Sequence, residues 1–175
     1  TWTPRNHGVP ADYLPERFPE TGQDPHLLLR HPGDPDLLWQ QNHCGNFRST
    51  DGGRTWRDRT PGLPSASAFA LALDEAEPLA AWTIPMESDA VRVAPGGALE
   101  VCRTDDGGET WTRLRNGLPQ RHCYDIVFRH ALDAHDGWVL FGTTCGRLFA
   151  SRDRGDSWEA VEGGLPPVNS VAIER

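Results

Sequence analysis

Apolar positions in this chain come in short runs separated by breaks rich in glycine, aspartate and proline. That pattern predicts many short β-strands joined by tight turns. Runs at 45–49, 99–103 and 146–151 each lead into such a break, and runs at 55–59, 110–114 and 157–161 follow it. In the last third of the chain four strands are predicted, at 125–129, 138–142, 147–151 and 157–161. No apolar run approaches the roughly 20 residues of a transmembrane helix.

Three of the breaks align without gaps. They are Ser49-Thr50-Asp51-Gly52-Gly53-Arg54-Thr55-Trp56, Thr104-Asp105-Asp106-Gly107-Gly108-Glu109-Thr110-Trp111 and Ser151-Arg152-Asp153-Arg154-Gly155-Asp156-Ser157-Trp158. Each reads Ser/Thr-x-Asp-x-Gly-x-Ser/Thr-Trp, and each is followed by Gly-Leu-Pro, at Gly62, Gly117 and Gly164. The chemistry is that of a hairpin turn. The carboxylates of Asp51, Asp106 and Asp153 accept backbone N–H bonds, and Gly53, Gly108 and Gly155 supply positive φ. The hydroxyls of Ser49, Thr104 and Ser151 tie down the start of the turn, while Trp56, Trp111 and Trp158 pack inward. These twelve residues are therefore read as structural. Four strands per repeat at tryptophan spacings of 55 and 47 residues predict the blades of an all-β propeller with antiparallel sheets.

The eight-residue pattern resembles the Asp-box, or BNR repeat, of sialidases and related propellers, over most of the chain from about residue 26. The turn His31-Pro32-Gly33-Asp34-Pro35-Asp36 resembles that family's inner hairpin. Thr1-Trp2 followed by Gly8-Val9-Pro10 repeats the offset of Trp56 from Gly62, so residues 1–9 are read as the end of a preceding blade. Residues 10–25 form an inserted loop; 26–64, 65–119 and 120–166 are blades; 167–175 is a closing strand. Three blades with a strand at each end cannot close a ring, because propellers need about 4–8 blades. The expectation is the C-terminal half of a propeller of six to eight blades, with seven the expected number. Its expected partner is the N-terminal half or a second copy of the chain.

Composition narrows the function. Among 175 residues there are 25 acids and 17 bases, a net charge of -8, which argues against phosphate-backbone and other nucleic-acid binding; no membrane partner is expected either. Every base is arginine, so lysine Schiff-base and P-loop chemistry are excluded within these residues. Gly 18 and Pro 15 together make about 19% of the chain, against a usual ~12%, in keeping with many turns.

Strand order sorts the loops into two faces. The repeated turns lie on one; the opposite face collects 40–44, 65–67, 85–97, 120–124 and 143–146, which are richer in reactive side chains. Gln41, Asn42 and His43 offer amide and imidazole groups suited to sugar hydroxyls, or to satisfying channel backbone. Glu87 and Asp89 could form the acid/base pair of a glycosidase, with Tyr124 at the channel mouth. The preferred reading of that loop is a segment folded on itself by carboxylate-to-backbone bonds and an Arg92 ion pair. Arg121, Arg129 and Arg147 could converge on a carboxylate ligand.

Sialidases need an arginine triad, a tyrosine paired with glutamate and an aspartate acid. With only Tyr13 and Tyr124 present, that activity is invited by the repeat and unsupported by the residues.

No cofactor and no metal site are expected, since the His43-Cys44, His122-Cys123 and Cys145 spacings match no zinc pattern. Were those groups to meet they could bind a transition metal, and Cys44 could pair with Cys145. The preferred reading is small buried groups and satisfied polar side chains, with Cys102 in the core. His26 and His31 are read as strand-end histidines. Two function classes follow. The first is a sialidase-like or glycoside-hydrolase-like propeller that binds a small polar ligand, a glycan, at the channel mouth. The second is a non-catalytic scaffold for protein partners, resembling sortilin-like and photosystem-assembly propellers.

Overall fold

Each repeated turn is held by four bonds that its own side chains supply. The Ser49 hydroxyl donates to Asp51 Oδ1 at 2.8 Å and accepts the Gly53 N–H at 2.9 Å. Asp51 then accepts the Thr55 N–H at 2.9 Å and the Thr55 hydroxyl at 2.6 Å. The same four bonds recur around Asp106 and around Asp153. The glycine that closes the turn sits at φ 79°, 87° and 98° in the three copies, a region that a Cβ disfavours. In the third copy Arg154 replaces the earlier glycine and holds φ 62°. A non-glycine residue there costs about 1–2 kcal/mol; Arg154 Nη2 makes a 2.6 Å bond to Asp105 of the neighbouring turn, which recovers part of that cost.

The computed structural model describes residues 1–162 and 164–174. Its strands are β1 (Pro25–Arg30), β2 (Leu38–Asn42), β3 (Gly45–Ser49) and β4 (Arg57–Asp58); β5 (Ala68–Asp74), β6 (Glu77–Pro85), β7 (Val101–Thr104) and β8 (Thr112–Leu114); and β9 (Leu132–His135), β10 (Trp138–Gly142), β11 (Leu148–Ser151) and β12 (Glu159–Glu162). They form three four-stranded antiparallel sheets, each in sequence order. The outer strands are shorter than predicted, because each tryptophan and the hydroxyl residue before it belong to the turn. The only helical turn among the described residues is a 3₁₀ turn at Pro95–Gly97. No helix of the described residues is long and apolar enough to cross a membrane.

One predicted strand is displaced. The inner strand of the third sheet lies at Leu132–His135, not at 125–129. The Ile126 carbonyl still accepts the Thr144 N–H at 3.0 Å, but the chain then turns, with Ala131 N–H on the Phe128 carbonyl at 2.9 Å. That excursion carries Arg129 out of the strand to donate to the His26 carbonyl of β1 at 2.7 Å. A tertiary contact thus overrides the local β pattern.

The sheets stack face to face. Trp39 and Leu27 of the first meet Leu71, Leu73 and Ala81 of the second. The opposite face of the second, with Ala70, Ala72 and Trp82, meets Leu132, Val139, Phe141 and Phe149 of the third. Polar ties cross these seams: Trp82 Nε1 and Arg103 Nη1 both donate to the Arg154 carbonyl, at 2.9 and 3.0 Å. His31 is buried and ties the end of β1 to the Asp74 carbonyl at 3.2 Å, accepting the Gly33 N–H with its other nitrogen.

Each turn tryptophan also rests on the exit segment of the preceding repeat. Trp56 N–H donates to the His7 carbonyl at 2.8 Å and its indole to the Arg5 carbonyl at 2.8 Å. Trp111 donates through its indole to the Arg59 carbonyl at 2.7 Å, and Trp158 N–H to Asn116 at 2.9 Å. Gly8 and Gly117 lie directly under the backbones of Trp56 and Trp158, at φ 94° and 89°. Residues 10–24 carry no strand and fold on themselves, with Tyr13 on the Gly22 carbonyl at 2.8 Å and Gln23 on Pro19 at 2.8 Å, and β1 begins at Pro25, the last residue assigned to the inserted loop. Residues 168–173 run beside β9, with a parallel bridge between His130 and Ser170.

Two predictions follow from the turns and their seats. Gly117→Ala places a Cβ against the Trp158 carbonyl and strains a positive φ, so the urea midpoint should fall by the equivalent of about 2 kcal/mol or more. Hydrogen bonds from Thr110 hold the Asp106 carboxyl at about 2. Partial burial works against this at Asp153, yet bonds from Ser151 and Ser157 still bring it to about 2. Both values are depressed from 3.8, so these groups stabilise the fold above about pH 4 and lose that contribution as pH falls toward 2. Melting curves recorded between pH 5 and 2 should show a shallower loss of stability for Asp153→Asn than for the parent.

Candidate functional site

All the loops opposite the repeated turns do gather on one face, held by short main-chain bonds. His43 N–H meets the Asp24 carbonyl at 3.0 Å, Met86 N–H meets Ser67 at 2.8 Å and Cys123 N–H meets Gly97 at 2.9 Å. Beneath them Phe69, Met86 and Ile126 form an apolar floor between the second and third sheets. Phe69, at the top of β5, organises what lies above. The rings of His26 and Phe69 are 4.8 Å apart, those of His26 and His43 6.0 Å, and Tyr13 meets His43 edge-on at 4.9 Å. The guanidiniums of Arg92 and Arg129 stand over Phe69 at 5.3 and 4.9 Å.

The result is a continuous strip of aromatic rings and guanidinium groups from the inserted loop across all three sheets. Its exposed members are Tyr13, Arg92 and Arg129, with His43 and Asp24 at its edge. Burial and the nearby Asp24 charge both raise the Tyr13 phenol above its ordinary range, keeping it a neutral hydrogen-bonding group. Below the strip, between the inner strands, runs a groove of about 300 Å³ whose lining includes Leu29, Leu71, Arg129, His130 and Val171.

The predicted residues divide. His43 and Arg92 belong to the strip. Gln41 and Asn42 lie beneath it, fully buried: Gln41 Nε2 bonds the Asn42 and Ala66 carbonyls at 2.9 and 3.1 Å, and Asn42 Oδ1 accepts the Cys44 N–H at 2.9 Å. Their role in this structure is to brace the β2–β3 turn that presents His43. Glu87 accepts the Gly96 N–H at 3.0 Å, and Asp89 pairs with Arg92 at 2.8 Å. The 85–97 loop is thus folded on itself as preferred, with each carboxylate engaged by its own loop.

Tyr124 is exposed, and neither it nor Arg121 makes a side-chain hydrogen bond or ion pair among the described residues. Arg147 pairs at 3.3 Å with buried Asp125, on which the Cys123 thiol also lies at 3.6 Å. Arg129 and Arg147 therefore serve different partners, and the arginines do not form a common clamp. The suggested Cys44–Cys145 bridge is also corrected: all four cysteines are free. Cys44 lies by the first sheet's β2–β3 turn and Cys145 in the third sheet's β10–β11 loop. Cys102 is core, and burial pushes its thiol up to about 12.

Sequence reasoning missed Asp24, His26 and Phe69 as members of this face. Asp24 sits in the irregular loop before β1, and the β1–β2 register, with Pro25 opposite Asn42, sets it beside His43. A shift in that register at His26 turns its ring toward the same point. The donor atoms of Asp24, His26 and His43 lie within 4.8 Å of one another and could hold a metal ion.

No protein-family model matches the chain. It is similar to the oligoxyloglucan-reducing end-specific xyloglucanase of Emericella nidulans, 29% identical over 158 residues, covering 82% of this chain and 19% of that protein. Among solved structures, the GH74 xyloglucanase from Xanthomonas campestris superposes with a TM-score of 0.61 at 20% identity, over 79% of this chain and 20% of that one. YCF48 from Cyanidioschyzon merolae does so with a TM-score of 0.56 at 18% identity, over 83% of this chain and 42% of that one. The chain spans about a fifth of the length of these xyloglucanases and about two-fifths of YCF48. At such identities the structural likeness speaks for the fold alone, and it agrees with the three stacked sheets: the chain is built of four-stranded β-propeller blades.

Proposed function

We propose that this chain forms part of a carbohydrate-binding propeller of the glycoside-hydrolase kind, with a neutral glycan as ligand on the loop face. The observation that carries the reading is the 29% identity to a xyloglucanase across 82% of the chain. The strip on the loop face supports it chemically. Sugar rings present apolar C–H faces that aromatic side chains such as Tyr13 and His43 can cover. Their hydroxyls need the mix of donors and acceptors that Arg92, Arg129 and Asp24 provide.

A neutral ligand is favoured over a sialic acid because three of the four arginines weighed for this face are engaged elsewhere, and Arg121 alone cannot make a three-arginine carboxylate clamp. Arg92 is paired with Asp89, Arg147 with Asp125, and Arg129 with the His26 carbonyl. In this reading the repeated turns are Asp-boxes that act as girders, while Glu87 and Asp89 shape the loop beside the ligand. The face of the third sheet turned away from the second leaves Trp138 at 40% and Val161 at 56% exposure. Leu140 there occupies the register position that Trp39 and Trp82 hold in the other sheets, both fully covered by a neighbour. That supports a propeller in which a further blade of the same construction covers this face.

Calorimetric titration with xyloglucan oligosaccharides, using the protein that carries this chain, tests the reading. Binding should be saturable, and Tyr13→Ala should weaken it at least roughly fivefold, a loss of about 1 kcal/mol. Absence of xyloglucan binding alongside tight binding of sialyllactose or of a peptide would overturn the neutral-glycan assignment.

A further inference from the structure

We infer that Asp24, His26 and His43 form a binding site for one divalent first-row transition-metal ion, of the Zn²⁺ or Co²⁺ class, at the edge of the loop face. The site's chemistry starts with His26. Its Nδ1 lies 2.8 Å from the Ala68 carbonyl oxygen, which can only accept, so the proton is on Nδ1. The Nε2 lone pair is left facing Asp24 Oδ2 at 3.8 Å. A metal-binding histidine characteristically donates its other ring N–H to a backbone carbonyl or carboxylate, which sets tautomer and ring orientation. His26 has this arrangement, with its side chain only 5% exposed.

His43 supplies the second imidazole, its Nδ1 also 3.8 Å from Asp24 Oδ2. Both separations are too long for hydrogen bonds, which end near 3.2 Å for nitrogen and oxygen. They suit ligands that share an ion: two atoms each about 2.0–2.2 Å from one centre lie roughly 3.3–3.8 Å apart at tetrahedral and wider angles. The widest donor separation, up to 4.8 Å, needs a small inward movement. The two partly exposed ligands can make it, His43 at 33% and Asp24 at 60% side-chain exposure, while His26 stays fixed. Tyr13 limits the His43 ring to a narrow range by packing on its edge, anchored itself through its hydroxyl on Gly22.

Two imidazoles with one carboxylate are a donor set for borderline divalent ions rather than for calcium or magnesium, which prefer all-oxygen sites. The fourth position would open toward solvent on the side of Asp24. Bound there, an ion would join the inserted loop, the start of β1 and the β2–β3 turn, adding to the β1–β2 pairing, the His43–Asp24 main-chain bond and the ring contacts already present. The inference rests on the geometry around these three side chains and not on the glycan reading, with which it shares Asp24 and His43.

Titration of the metal-stripped protein with Co²⁺, followed by visible d–d absorption, and with Zn²⁺ by calorimetry, tests it. One equivalent should bind in each case. Asp24→Asn and His43→Gln, at partly exposed positions where folding is not at stake, should each weaken binding at least about tenfold. Circular dichroism melts of the metal-free variants should match the parent. His122→Gln, which alters a histidine of the same face outside the cluster, should bind like the parent. The assignment is overturned by a parent protein that binds no stoichiometric ion, or by binding that survives in both variants. A near-ultraviolet thiolate-to-cobalt band, which would make Cys44 a ligand in place of this set, also overturns it.

Discussion

The seating of each turn tryptophan on the exit of the preceding repeat is the contact on which the architecture rests. A single four-stranded sheet has two apolar faces and cannot cover either alone, so it gains stability only when a neighbour lies against it at a fixed offset. Trp56 and Trp158 supply that offset with main-chain N–H bonds to His7 and Asn116, and Trp56 and Trp111 with indole bonds to Arg5 and Arg59. Glycine is needed beneath Trp56 and Trp158 because their backbones come too close for a Cβ at Gly8 and Gly117. The carboxylate-centred turn then serves one purpose: it holds the tryptophan where the preceding repeat can receive it.

Once the turns consume one end of every sheet, the opposite end is left with longer and less repetitive loops. These meet over a floor of Phe69, Met86 and Ile126, so side chains distant in sequence are drawn to one surface. Phe69 has a central position there, since it touches His26 and carries two guanidiniums over its ring. The displaced inner strand of the third sheet belongs to the same economy of contacts. Arg129 leaves the β pattern in order to bond the His26 carbonyl, and the chain resumes pairing at Leu132.

Legibility in the sequence followed the range of the interactions. The turn networks close within seven residues, so the hydroxyl, carboxylate and glycine positions could be read directly, and all three copies show the same bonds. The engagement of Asp89 by Arg92 was readable for the same reason, at a separation of three residues. The inner strand of the third sheet was misplaced because its apolar run at 125–129 answers to a partner about a hundred residues away. Asp24 was passed over and His26 was read only as a strand-end histidine, because nothing in their own neighbourhood marks them as a pair; the β1–β2 register and its local shift bring them to His43. The convergence suggested for Arg121, Arg129 and Arg147 failed because each lies on the shared face but faces a different local environment.

By itself the sequence determined the all-β character, the four-stranded repeat and the side of each sheet on which variable loops emerge. Those features depend on turn chemistry and strand order, which are local or topological. Tertiary structure decided which side chains share the loop face, where the third sheet begins, and that Gln41 and Asn42 are braces rather than exposed ligands. Each of these depends on how one sheet is rotated and offset against the next. That offset is set by side-chain packing across the seams, a quantity that no stretch of a single strand contains.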